Sequence, residues 1–69
     1  MRISARNQLK GRIEEIILGP VTTHVAVRVG DNVIESVITR RSADDLQLKK
    51  GDEVTAFIKA TEVLIAKED

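Results

Sequence analysis

Along most of the chain, apolar positions recur at every second residue rather than every three or four. Val25, Val27 and Val29 form one face of a segment whose other face is His24, Ala26 and Arg28. Period-two spacing of this kind marks a strand buried on one side. Turn signals cut the chain into pieces of strand length. Gly19-Pro20 follows Arg12–Leu18, Gly30-Asp31-Asn32 follows Val21–Val29, and Lys49-Lys50-Gly51-Asp52 precedes Val54–Lys59. The pattern predicts five strands, near residues 8–18, 21–29, 32–39, 53–59 and 62–67. The first two approach a hairpin bent at Gly19. The second and third form a hairpin through Gly30-Asp31-Asn32, residue types that tolerate positive φ.

One stretch reads as helix. Ser42 followed by Asp44 and Asp45 resembles an N-cap with acids in the first turn, and Gly51 follows Lys49-Lys50. A short helix over 42–48 is expected, with Leu46 and Leu48 packing inward. Five strands with one short helix between the third and fourth give an all-β fold, the layout of an OB-like five-stranded barrel.

Several strands are apolar on both faces. Ile34 and Ile38 oppose Val33 and Val37; Val54, Ala56 and Ile58 oppose Phe57; Val63 and Ile65 oppose Leu64 and Ala66. A chain of 69 residues forms one small domain with one interior. The second apolar face therefore predicts contact with another subunit. Size points the same way, because a core this small supplies only about 3–5 kcal/mol and needs reinforcement.

Composition narrows the chemistry. Val, Ile and Thr make up 21 of 69 residues, which suits pleated surfaces. Cys is absent, so disulfides, thiolate zinc sites and iron–sulfur clusters are excluded. Eleven basic residues balance eleven acidic ones, and Phe57 is the one aromatic residue. Neither feature suits a nucleic-acid binder, which uses net positive charge and stacking rings. No apolar run approaches the roughly 20 residues of a spanning helix, and the N-terminus has no apolar signal segment. A cytoplasmic protein with no membrane or nucleic-acid partner is expected.

No catalytic constellation stands out. His24 lies mid-strand on the polar face, as a surface or interface residue. Glu14 and Glu15 are expected on opposite faces of a strand, and Asp44 and Asp45 belong to the helix. The chain is therefore read as a non-enzyme, with no metal held directly by side chains. Donor clusters are more suggestive. Ser4, Ala5, Arg6 and Asn7 offer a hydroxyl, successive N–H groups, a guanidinium and an amide, a set that can cradle an anion. Lys59-Ala60-Thr61 forms a second cluster, and Ser42 stands at a predicted helix N-terminus. Arg40-Arg41 is read as a solvated basic pair.

At these clusters the chain resembles the molbindins, small molybdate- or tungstate-binding proteins built from one Mop-type domain of the TOBE group. The resemblance runs through Ile3-Ser4-Ala5-Arg6-Asn7-Gln8-Leu9, Gly11, Gly19, Val21-Thr22, Val25, Ile38-Thr39, Ser42, Leu46, Leu48, Gly51, Val54, Lys59-Ala60-Thr61 and Val63. It implies a single oxyanion-binding domain over residues 1–69 and a hexamer built as a trimer of dimers. It implies that Ser4, Ala5 and Arg6 of one subunit meet Lys59 and Ala60 of a neighbour around an anion, with Ser42 a further donor. A second site near a threefold axis would use Gly19, Val21 and Thr22. The chain departs from the family pattern there at Pro20, which has no N–H, and at His24. The implied ligand is molybdate or tungstate, with no organic cofactor, held for intracellular storage. The alternative is a regulatory or interaction domain of the same fold acting as a molybdate sensor.

Overall fold

The computed structural model describes residues 2–68. β1 (Asn7–Leu18), β2 (Thr22–Val29) and β3 (Asn32–Thr39) are followed by α1 (Arg40–Asp45), β4 (Glu53–Ile58) and a single 3₁₀ turn, Ala60–Glu62. The four strands form one antiparallel sheet in the order β3-β2-β1-β4. The 12-residue β1 serves two partners in succession. Its first half pairs with β4, from Asn7 opposite Ile58 to Arg12 opposite Glu53. Its second half pairs with β2, from Arg12 opposite Arg28 to Leu18 opposite Thr23.

A register shift between Ile13 and Glu15 reconciles β1 with its sequence. Ile13 and Ile16 are three apart, and strict alternation would send them to opposite faces. A bulge at Glu14 adds the extra residue and returns both to the inner face. Glu14 and Glu15 consequently share the outer face rather than opposing each other. Glu14 pairs with Arg28 at 2.6 Å, and Glu15 lies opposite Ala26. On the inner face Ile13, Val25 and Val27 form the core, with Ile16, Val29, Ile38, Leu48 and Val54 packed around it. Strands β3 and β4 thus contribute Ile38 and Val54 to one cluster, although the sheet does not close between them.

Two expectations about elements are corrected. The predicted fifth strand, 62–67, is not a strand of this chain. The 3₁₀ turn occupies Ala60–Glu62, and residues 63–68 beyond it have no ladder partner. Alternating apolar residues satisfy the sequence pattern, but a strand also requires a neighbour to bond. The four-stranded all-β sheet with one short helix is therefore open, not a closed five-stranded barrel. The helix is also displaced, from 42–48 to Arg40–Asp45. Its N-cap is Thr39, whose hydroxyl accepts the Ser42 N–H at 3.0 Å. Ser42 therefore lies inside the first turn, and Asp44 and Asp45 lie at the helix end. Leu46 is 66% exposed instead of packing inward, whereas Leu48 does reach the core.

Candidate functional site

The β1–β4 register builds the first candidate site. Because Asn7 faces Ile58, the preceding Arg6 and the following Lys59 flank the last pair at one corner of the sheet. The Asn7 side chain donates to the Ile58 carbonyl at 3.1 Å and fixes that corner. The Gln8 amide donates to the Ala5 carbonyl at 3.1 Å and anchors the arm that carries Ser4 and Arg6. Ala5 is half-buried, while Ser4, Arg6, Lys59 and Ala60 are exposed. Within one chain the register brings Arg6 and Lys59 to the same end of the β1–β4 pair, whereas the resemblance implies that Lys59 and Ala60 reach the Ser4–Arg6 arm from a neighbouring copy.

The corner is rich in free donors. Lys59 is the N-cap of the 3₁₀ turn, and its carbonyl accepts the Glu62 N–H at 2.9 Å. The N–H groups that open such a turn have no intrahelical acceptor. Among the described residues, those of Ala60 and Thr61 make no backbone hydrogen bond. Arg6 and Lys59 form no ion pair among the described residues, unlike Arg12 with Glu53, Arg28 with Glu14, Arg40 with Asp44 and Lys49 with Asp52. Two cations without ion pairs among the described residues and free amide donors suit an anion, with Glu62 of the same turn the one acidic side chain beside them. No group of three His, Asp or Glu side chains able to hold a metal occurs among the described residues.

Ser42 does not belong to this corner within one chain. It lies on α1, which follows β3 directly, and Thr39 at the end of β3 pairs with Thr22. That places Ser42 near the β1–β2 turn, at the far end of the 12-residue β1. At about 3.3 Å per residue, the two ends are separated by tens of ångströms. Ser42 and the Ser4–Arg6 arm can share a ligand only if different copies of the chain supply them.

At this far end the structure gathers Gly19, Val21, Thr22 and Ser42. The Gly19 N–H donates to the Thr22 carbonyl at 2.9 Å, and Pro20 has no N–H to offer. Val21 makes no backbone bond through its N–H among the described residues. Ser42 has spent its N–H on Thr39 and accepts the Thr39 hydroxyl at 2.8 Å, keeping only its own O–H. The second group is thus poorer in free donors than the first.

Arg40 was missed by the sequence reading as a solvated residue. It is half-buried and holds the β1–β2 turn. Its N–H donates to the Val21 carbonyl at 2.8 Å, and its guanidinium donates to the Gly19 carbonyl at 3.3 Å and to Asp44 at 3.0 Å. The four-residue spacing from Arg40 to Asp44 was the available signal. His24 lies on the outer face as expected, with Nε2 at 2.8 Å from Glu35. A cleft lined by Lys10, Arg12, Glu53, Thr55 and Phe57 runs beside β1 and β4 and includes none of the predicted donors.

Comparison with known proteins agrees with the resemblance. The TOBE domain model matches residues 3–65. Molybdenum-pterin-binding protein 1 of Clostridium pasteurianum is 46% identical over 66 residues, covering 94% of this chain and 97% of that protein. The structure of a molybdate-binding protein from Sporomusa ovata superposes with a TM-score of 0.92 at 39% identity, covering 97% of this chain and 100% of that one. The cytoplasmic molybdate-binding protein ModG, in a molybdate-bound form, gives a TM-score of 0.83 at 41% identity, over 87% of this chain and 43% of that one. These relatives are binding proteins rather than enzymes. With the family model covering nearly the whole sequence and close relatives matched end to end, the chain belongs to the TOBE-domain family, in its Mop-type molybdenum-binding branch.

Proposed function

We propose that this protein binds molybdate, or the isostructural tungstate, and stores it in the cytoplasm at interfaces between copies of the chain. The observation that supports this reading most is the Asn7–Ile58 register, which brings Arg6 and Lys59, without ion pairs among the described residues, to one corner next to the 3₁₀ turn. Molybdate is a tetrahedral dianion without protons at neutral pH, so a site made only of donors matches it. Protonated phosphate would turn an O–H toward a donor and be disfavoured. Sulfate is also a dianion, and its rejection must come from the size of the cavity. A rigid interface sets such a size better than an exposed arm.

The corner is open in one chain, with Ser4, Arg6, Lys59 and Ala60 all exposed. A second copy would cover it, exclude water and bring in Ser42 from the far end of its own sheet. A hexamer arranged as a trimer of dimers supplies such interfaces, and closing the OB-like barrel belongs to the same assembly. The Gly19, Val21 and Thr22 turn is a secondary site in this reading. The free oxyanion is the ligand in this reading, without an organic cofactor.

Calorimetric titration with molybdate, tungstate, sulfate and phosphate tests the assignment. Tight uptake of molybdate or tungstate at a fixed fraction per chain, with sulfate and phosphate weak or silent, is expected. A folded, assembled protein that takes up no oxyanion would overturn it.

A further inference from the structure

Arg40 ties the two elements of the far end together. It opens α1 and reaches back to the Gly19–Thr22 turn between β1 and β2. Its backbone N–H donates to the Val21 carbonyl at 2.8 Å, and its Nη1 donates to the Gly19 carbonyl at 3.3 Å. The Gly19 N–H takes the Thr22 carbonyl at 2.9 Å. The carbonyls of Gly19, Val21 and Thr22 are thus all occupied. Carbonyl oxygens repel an oxyanion, so a turn whose carbonyls are engaged elsewhere is left to present its donors.

Those donors are few. The turn offers the Val21 N–H and the exposed Thr22 hydroxyl, and Pro20 has no N–H to add. The Arg40 guanidinium can make up the difference. It carries five N–H donors in a rigid planar fork. Nε donates to Asp44 at 3.0 Å and Nη1 to Gly19. The remaining N–H groups have no partner among the described residues, and the side chain is 39% exposed. Net charge does not argue for a site here, since α1 sets Arg40 and Arg41 against Asp44 and Asp45. The geometry does, because one guanidinium both engages the turn and keeps donors to spare beside it.

We infer that Arg40 completes an oxyanion site at the β1–β2 turn, donating from its free N–H groups beside the Val21 N–H and the Thr22 hydroxyl. Its occupied donors keep the turn's carbonyls engaged. A planar fork can bridge two oxygens of one anion. The ligand class is the dianionic oxyanion of the proposed function, on which this inference rests.

Calorimetric titration of the assembled protein with molybdate tests it, with the corner and the turn read as two classes of site. Arg40→Gln keeps the backbone bond to Val21 and removes the fork. It should weaken the turn class at least about tenfold and leave the corner class unchanged. Arg40→Lys keeps the charge without the fork and should recover only part of that loss. Asp44→Asn releases Arg40 from its ion pair and leaves the turn intact, so the turn class should tighten about two- to fivefold. If Arg40→Gln does not assemble, Asp44→Asn decides alone. A turn class indifferent to Arg40→Gln would overturn the inference. So would equal loss at both classes, or a turn class unmoved or weakened by Asp44→Asn, which would mark Arg40 as a strut of the fold. A protein with one class of site would overturn the turn site and leave the corner reading standing. A protein that takes up no molybdate would overturn both.

Discussion

Gly11 marks how closely β1 and β2 approach. A Cβ built there would lie 2.3 Å from the Arg28 carbonyl oxygen and 2.8 Å from a Val27 methyl. The first is backbone held in a ladder and cannot yield. Gly11→Ala should therefore destabilise the fold by about 1–3 kcal/mol, or prevent folding, as measured by urea unfolding. Lys59 is the opposite case, exposed and outside the strands. Lys59→Ala should leave the unfolding midpoint nearly unchanged while removing one charged donor from the anion. A charge-assisted bond of about 1.5–3 kcal/mol corresponds to roughly 10- to 150-fold weaker molybdate binding by calorimetry. Unchanged affinity would remove Lys59 from the site. The donor chemistry of Ser4, Arg6 and Lys59 was legible from residue types alone. The tight contact at Gly11 was not, because it depends on a strand sixteen residues away.

The short helix separates two serine and threonine roles that looked interchangeable in the sequence. Thr39 caps α1, and Ser42 receives that cap. Thr39→Ala should cost about 1 kcal/mol of stability, the usual value for a lost N-cap. Ser42→Ala, which keeps the N–H that Thr39 accepts, should cost clearly less in the same denaturation experiment. A larger loss for Ser42→Ala would return the cap to the position the sequence suggested. Capping competition is decided by the direction in which β3 delivers the chain, and Arg40 adds to it by tying α1 to the Gly19–Thr22 turn. Strand positions were easier to read. Predicted 8–18, 21–29, 32–39 and 53–59 became 7–18, 22–29, 32–39 and 53–58. The bulge at Glu14 escaped notice because it needs a partner strand to be defined.

At the scale of the molecule, the small core and the exposed apolar surface belong together. Among the described residues only Ile13, Val25, Ala26, Val27 and Ala43 are buried hydrophobics, while Ile17 is 57% exposed and Val37 67%. These two residues align with His24 across three strands on the outer face. A single chain of 7.6 kDa with this surface should be less stable than its assembly. Sedimentation equilibrium at micromolar concentration should give a mass near six chains, and thermal stability should fall on dilution as mass action requires. A mass of one chain at every concentration would contradict the interface reading. The two-faced strands are the sequence feature on which the expectation of self-association rests. Which donors share a site was not legible, since Ser42 and the Ser4–Arg6 arm lie at opposite ends of β1.

The sequence by itself determined whatever depends on near neighbours along the chain. Alternation defined the strands, Gly30 at φ +60° made the β2–β3 turn, and residue chemistry placed anion donors before β1 and after β4. Local propensity and periodicity act within a few residues, so they can be read in one dimension. Only the tertiary structure decided that Asn7 faces Ile58, which joins two donor clusters about fifty residues apart into one corner. It alone decided that residues 63–68 have the pattern of a strand without being one in a single chain. Pairing and burial are relations between distant segments, which the local pattern does not record.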